Sequence, residues 1–158
     1  GNSLLDDEKI DYCKEVLEKY PDKIILPVDV ITSKIPNDAS SISEKKIGEI
    51  EDDDIGYDVG PLTVSLFRDK LKDAKTVVWN GPAGVFEFSN FAKGTNGICE
   101  LLVNLEGATT IIGGGDSAAA AISMGYEAKF SHISTGGGAS LEYLEGKTLP
   151  GVACLSEK

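Results

Sequence analysis

Three glycine-rich stretches hold most of the residues in this sequence that can handle a ligand: Trp79-Asn80-Gly81-Pro82-Ala83-Gly84-Val85-Phe86-Glu87, Gly113-Gly114-Gly115-Asp116-Ser117-Ala118 and Ser134-Thr135-Gly136-Gly137-Gly138-Ala139-Ser140. The second fits Gly-x-Gly-x-x-Gly/Ala, with an apolar strand-like run before it and an alanine-rich, helix-like run after it. In that context glycines let backbone approach a phosphate, and the free amides of a helix start supply donors at its positive end. Asp116 then has two readings, a helix N-cap or the ligand of a hard cation such as magnesium that bridges phosphate oxygens. The third stretch is a second strand-to-helix turn with more glycine than turn chemistry needs. It reads as the other half of an anion cradle, or as tight packing of helix on strand. In the first stretch a rigid Gly-Pro turn leads to Val85 and Phe86, which can line an apolar slot for a base. Glu87 follows, either to accept from ribose hydroxyls or to serve as a first-turn acid on a helix.

Other chemistries are poorly served. A dinucleotide site wants an acid about twenty residues after the glycine turn, and that place holds His132-Ile133-Ser134. No Gly-x-x-x-x-Gly-Lys-Ser/Thr occurs. His132, the single histidine, is expected to be a core residue of a buried strand, and no nucleophile triad can be assembled around it. What remains is phosphate handling.

The elements that must position these turns follow from pattern. Ile10, Cys13, Val16, Leu17 and Tyr20 recur at helical spacing across Asp6–Tyr20, which Pro21 stops. Lys23–Ile31 reads as a buried strand, Thr32–Ser43 as a loop, and the acidic Ile47–Val59 as a solvated connection in preference to a metal cluster. Pro61 opens a helix to about Lys72. Strands are then expected at Thr76–Trp79, Thr109–Ile112 and Phe130–Ser134, alternating with helices at Phe91–Leu105, Ser117–Met124 and Ala139–Leu144. Four strands in such an order imply βαβ units, and hence an α/β fold of Rossmann-like three-layer α/β/α form with a mainly parallel sheet. In such a sheet ligands bind beyond the carboxyl ends of the strands, where the glycine turns fall.

With 158 residues, 41% hydrophobic and 26% charged, the chain suits one compact soluble domain over residues 1–158. Fifteen basic against 26 acidic side chains give a net charge of -11, which argues against nucleic acid or an anionic membrane surface as partner. Cys13, Cys99 and Cys154 show neither disulfide nor zinc spacing, so a reducing, cytoplasmic setting is expected. No apolar run reaches the roughly 20 residues of a membrane span. Gly1 followed by Ser3-Leu4-Leu5-Asp6, a helix start of the capping-box type, reads as entry into the middle of a fold, with the sheet truncated at its N-terminal side.

Taken in order and spacing, Trp79–Glu87, Gly113–Ser117 and Ser134–Ser140 resemble the C-terminal domain of the phosphoglycerate kinase family. So do Leu26-Pro27-Val28-Asp29, Gly56-Tyr57-Asp58-Val59-Gly60-Pro61 and the tail Leu141–Val152. The resemblance implies a two-domain, monomeric, cytoplasmic glycolytic enzyme that moves a phosphoryl group between 1,3-bisphosphoglycerate and MgADP, giving 3-phosphoglycerate and ATP. This chain would be the later part of its ADP/ATP domain. It further implies Gly56 near the adenine, Asn80, Pro82, Gly84 and Val85 around the nucleotide, and Glu87 on the ribose. Gly114, Gly115, Asp116 and Ser117 would meet the phosphates, with Asp116 holding Mg2+. The amides around Thr135, Gly136 and Gly137 would face the transferring group. Ser117 stands where the family usually has threonine. The family's basic phosphoglycerate site lies outside this sequence, so the chain alone is expected to be inactive.

Overall fold

The structure, a computed structural model, describes residues 1–35 and 39–155. Six helices and six strands are seen among them: α1 (Ile10–Lys19), β1 (Asp29–Ser33), β2 (Ser43–Lys46), β3 (Ile55–Val59), α2 (Pro61–Leu71), β4 (Thr76–Asn80), α3 (Lys93–Val103), β5 (Thr109–Gly113), α4 (Gly115–Ser123), β6 (His132–Ser134), α5 (Gly137–Leu144) and α6 (Pro150–Ala153). Short 3-10 turns punctuate them. No described helix is long and apolar enough to cross a membrane.

The expected α/β class holds, and its parallel sheet has the order β4-β5-β6. Side chains alternate across it with period two, so Trp79 and Ile112 point to the face where Ile98, Leu101 and Leu102 of α3 and Ala118, Ala120 and Ala121 of α4 complete the core. The three alanines are small enough for α4 to lie close on the sheet, and Trp79 stacks on Phe130 with ring centroids 6.1 Å apart. Val78 and Ile111 point the other way, toward α5.

Four strands were expected and six are found. The additional ones belong to a separate antiparallel sheet, β2-β1-β3. The expected strand at Lys23–Ile31 is displaced to Asp29–Ser33. Composition marked the earlier residues as extended, but Pro27 has no N–H to pair, and Val28 donates instead to the Thr63 hydroxyl. Ile25, Leu26 and Val28 consequently remain exposed. The loop expected at Thr32–Ser43 gives way to the end of β1 and a 3-10 turn at Ala39–Ser41, with its residues 36–38 outside the described ones. The acidic stretch 47–59 is not simply a solvated connection: it ends in β3, and Asp54 and Asp58 are buried.

The Ser3 capping signal is likewise redirected. Ser3 Oγ accepts from Gly56 N at 2.9 Å, at the start of β3, while the first helical turn carries no side-chain cap. Helix α1 has the predicted apolar stripe but no buried residue. Its Cys13, Val16 and Leu17 line a shallow groove together with Ile24 and Leu26. Helix α2 begins at Pro61 as expected, behind Gly60, which has no side chain to cap with. That work falls to Asp29 of β1, whose two carboxylate oxygens accept from Leu62 N at 2.8 Å and Thr63 N at 2.7 Å.

All three cysteines are free thiols; Cys99 is fully buried, and burial pushes its thiol up to about 12, whereas Cys13 and Cys154 are exposed. A thiolate is what reacts with a disulfide reagent. Ellman's reagent is therefore expected to titrate two thiols quickly in the native chain and the third only after unfolding.

Candidate functional site

Asn80, Gly113 and Ser134 stand side by side at the carboxyl ends of β4, β5 and β6, in register across the parallel ladder. From them leave the three glycine-rich connections. Gly114 has φ of 99°, a backbone state that favours glycine, and its N–H donates to Ser134 O at 3.0 Å. The β5–α4 and β6–α5 turns thus touch. A Cβ on Gly137 would lie 2.6 Å from Gly114 Cα and 3.1 Å from Asn80 Oδ1. The glycine of the third stretch is therefore required by turn-on-turn packing, a closer contact than helix on strand. The two turns lie side by side, as expected.

Both turns open onto helix starts. The first helical bond of α4 is Ala118 N to Gly114 O and that of α5 is Ser140 N to Gly136 O. The amides of Gly115, Asp116, Ser117, Gly137, Gly138 and Ala139 thus precede any intrahelical acceptor. Two sets of such donors at adjoining strand ends suit an anion with several oxygens. Asp116 is exposed in the first turn of α4; Gly114 occupies the N-cap position and no side chain caps the helix. Of its two readings, capping is not realised, which leaves both carboxylate oxygens for a ligand.

One exposed carboxylate beside the free amides of a helix start fits magnesium, which keeps several waters and takes few protein ligands. The acidic stretch offers a different grouping, Glu51, Asp53 and Asp54. Lys34 reaches Glu51 and Asp53 at 2.9 Å each, and Lys45 reaches Asp54 at 2.6 Å, so those charges are already paired. The lysines hold the Glu51 and Asp54 carboxyls below their usual range.

Ser117 is placed otherwise than an exposed phosphate ligand. It is 1% exposed, and its Oγ accepts from Gly81 N at 2.6 Å, tying the loop after β4 to α4. Thr135 and Gly136 are exposed at the mouth of the second turn. His132, expected in the core, is an exposed residue of β6.

The loop after β4 leads into a cleft of about 580 Å³ between the two sheets' edges, lined by Gly56, Tyr57, Pro82, Ala83, Gly84 and Val85 among others. That volume is in the range of small-ligand sites. Its wall is tied down by backbone: Val85 N donates to Tyr57 O at 2.9 Å, and Ala83 N and Gly84 N both donate to Thr95 Oγ1 at 3.1 Å. Val85 faces the cleft as expected, but Phe86 does not; it packs against the hydrophobic core. Glu87 lies exposed in a turn ahead of α3, so it is not a first-turn helix acid, and it is not among the residues lining the cleft.

Sequence reading passed over Tyr57, Asp58 and Thr95. Tyr57 stacks on Phe91 with centroids 4.7 Å apart. Asp58 is 3% exposed and accepts from Gly94 N at 2.7 Å and Val59 N at 2.9 Å. Burial pushes its carboxyl up to about 6, against the smaller downward pull of those two amides. A native state that binds this proton more tightly than the unfolded chain is most favoured in acid and loses that contribution as pH rises through about 6. The thermal midpoint of Asp58→Asn is therefore expected to gain on that of the native chain as pH rises from about 5 to 7. The only signal in the sequence was a lone acid between Gly56 and Gly60.

Comparison with known proteins bears on this geometry. The family model described as phosphoglycerate kinase matches residues 1–147. Phosphoglycerate kinases of Enterococcus faecalis and Staphylococcus epidermidis are 61% and 62% identical over 158 and 159 aligned residues, which cover 100% of this chain and 40% of each relative. The solved phosphoglycerate kinase from Coxiella burnetii superposes with a TM-score of 0.88 at 38% identity over 97% of this chain and 40% of its own. That from Pyrococcus horikoshii gives 0.80 at 29% identity, over 92% and 36%. The chain thus spans about 40% of the length of the relatives it matches. With twin glycine turns, a free carboxylate at a helix start and these likenesses together, the chain belongs to the phosphoglycerate kinase family.

Proposed function

We propose that this chain is the later part of the C-terminal nucleotide-binding domain of a phosphoglycerate kinase and holds MgADP or MgATP while the phosphoryl group moves to or from phosphoglycerate. The observation that carries this reading is the contact between the two glycine turns beside the uncapped Asp116. In it the base enters the cleft at Gly56, Pro82, Gly84 and Val85, with Asn80 at the turn between base and phosphates. Glu87 takes the ribose by swinging in from its exposed turn. The amides of Gly115 to Ser117 receive the inner phosphates, and those from Thr135 to Gly137 face the group in flight. Gly114 brings its backbone up to the phosphates, and Ser117, anchored to Gly81, keeps its O–H to donate.

Magnesium, held by Asp116, would neutralise charge on the phosphate oxygens. The chain's own contribution is alignment: donors fixed before the substrate arrives cost no reorganisation when charge shifts, and each such donor is commonly worth about 10²-fold or more in rate. Among the described residues no lysine or arginine lines the cleft. An acidic chain with such a cleft suits the nucleotide side of the reaction, not the side that holds a phosphoglycerate. The chain alone is therefore proposed to be inactive, and its three free thiols suit a cytoplasmic enzyme.

Two measurements test this. Titration of ADP with magnesium, followed by amide shifts, is expected to move the signals of Gly56, Gly84, Val85, Gly115 and Gly136 in one saturable process. Shifts confined to other residues would contradict it. A coupled assay with ADP and 1,3-bisphosphoglycerate is expected to give no ATP above background.

A further inference from the structure

Two carboxylates on the antiparallel sheet are buried with no cationic partner among the described residues, Asp29 and Asp58. Asp29 is accounted for by the start of α2. Asp58 likewise receives a first-turn amide, Gly94 N of α3, with no charge to pair against, and the chain makes unusual room for it. A Cβ on Gly84 would lie 2.2 Å from Asp58 Oδ1, and one on Gly94 would lie 2.3 Å from the same atom. Two glycines, one in the loop after β4 and one in the first turn of α3, thus close around a single carboxylate.

The bonds around it lead to the cleft. Oδ2 holds Gly94 N and Oδ1 holds Val59 N, so the carboxylate joins β3 to the start of α3. Thr95, next in the chain to Gly94, holds the amides of Ala83 and Gly84, and Tyr57, next to Asp58, holds that of Val85. The wall formed by Ala83, Gly84 and Val85 therefore hangs from neighbours of Asp58 on both sides. We propose that Asp58 is the positioning residue of the nucleotide slot, fixing the Gly84–Val85 wall through its charged carboxylate wedged between Gly84 and Gly94.

This rests on the reading of the cleft as the nucleoside site. Protonation turns the charged acceptor into a neutral carboxyl, whose hydroxyl oxygen accepts far less strongly. The bond to Gly94 or Val59 weakens, and the wall loosens. Because the carboxyl titrates at about 6, the fixing form prevails at neutral pH and is lost in mild acid. The same charge is a burden on stability, as set out above, and a buried acid retained against stability is expected where it serves a site.

The charged groups on the elements around it are Asp29 on β1, Glu87 in the loop, and Lys93 and Glu100 on α3. None forms an ion pair with Asp58.

Adenosine is the suitable probe, because it has no phosphate to titrate. Its affinity is measured from the amide shifts of Gly84 and Val85 between about pH 5 and pH 7.5, in the His132→Gln background that removes the only imidazole. The expected result is binding about three- to tenfold tighter at the upper end, with a midpoint near that of the Gly94 amide shift in the ligand-free chain. Asp58→Asn is expected to bind weakly and without pH dependence. Equal affinity at both ends, or a pH dependence that survives in Asp58→Asn, overturns the proposal while leaving the cleft a nucleoside site. No adenosine shift at any pH overturns the site reading and the proposal with it. Should Asp58→Asn fail to fold, the ligand-free chain decides alone: a Gly94 amide that does not titrate with the affinity overturns the proposal.

Discussion

Gly137→Ala is expected to destabilise the chain by about 2 to 4 kcal/mol and to weaken nucleotide binding by more than tenfold, the sum of an overpacking term and a lost hydrogen bond. The added methyl would meet Gly114 Cα at 2.6 Å and Gly114 N at 3.0 Å. Both are backbone and cannot rotate away. The turns must separate, and the Gly114 N–H to Ser134 O bond at 3.0 Å goes with them. Against this stands the gain of replacing a helical glycine by alanine, about 1 kcal/mol at most. The clash wins. Gly138→Ala is the control, since nothing lies within 4 Å of its would-be Cβ and only the helix gain applies. Urea unfolding of the two variants side by side is expected to give shifts of opposite sign.

Asp29→Ala is expected to cost about 3 kcal/mol, a large part of the 5 to 15 kcal/mol that holds a domain together. Its carboxylate satisfies Leu62 N and Thr63 N at the start of α2, and also takes the Thr63 hydroxyl proton. Losing a cap costs about 0.5 to 2 kcal/mol, and a buried donor left without a partner about 1 to 3. Gly60 at the N-cap cannot take over, because it has no side chain with which to accept. Asp29→Asn keeps one acceptor and is expected to lose about half as much. Asp11→Ala is the contrast: its ion pair with Lys14 is 3.5 Å long on two exposed side chains, and its removal is expected to leave the urea midpoint unchanged.

These two positions also mark what a sequence can and cannot reveal. Strands β4 and β5 were legible because each is a short β-branched run ending in a glycine turn or in Asn-Gly, and β6, His-Ile-Ser, because a glycine turn and a helix follow it. Their pairing needs no information beyond the chain order of a βαβ fold. Strand β2 is Ser-Glu-Lys-Lys, a polar edge with no apolar alternation to detect. Strand β3 contains Gly56 and Asp58, both poor strand formers, and is held in place by register with β1 nearly thirty residues away. Within the site, the glycine turns and Asp116 were read correctly as neighbours, since their place at strand ends follows from the fold. The direction of Phe86 was not, because it depends on what the core offers it. Asp58 looked like one more acid of a solvated run. Its burial is created by Gly84 and Gly94, 26 and 36 residues further along.

The central claim is that Asp116 and the adjoining glycine turns make a magnesium-nucleotide site. Calorimetric titration of ADP into the chain with and without magnesium, repeated on Asp116→Ala, tests it most directly. The account predicts that magnesium tightens ADP binding about tenfold or more in the native chain and has no effect in the variant, which still binds free ADP through the cleft and the amides. An equal magnesium effect in Asp116→Ala, or ADP binding that never responds to magnesium, would contradict it.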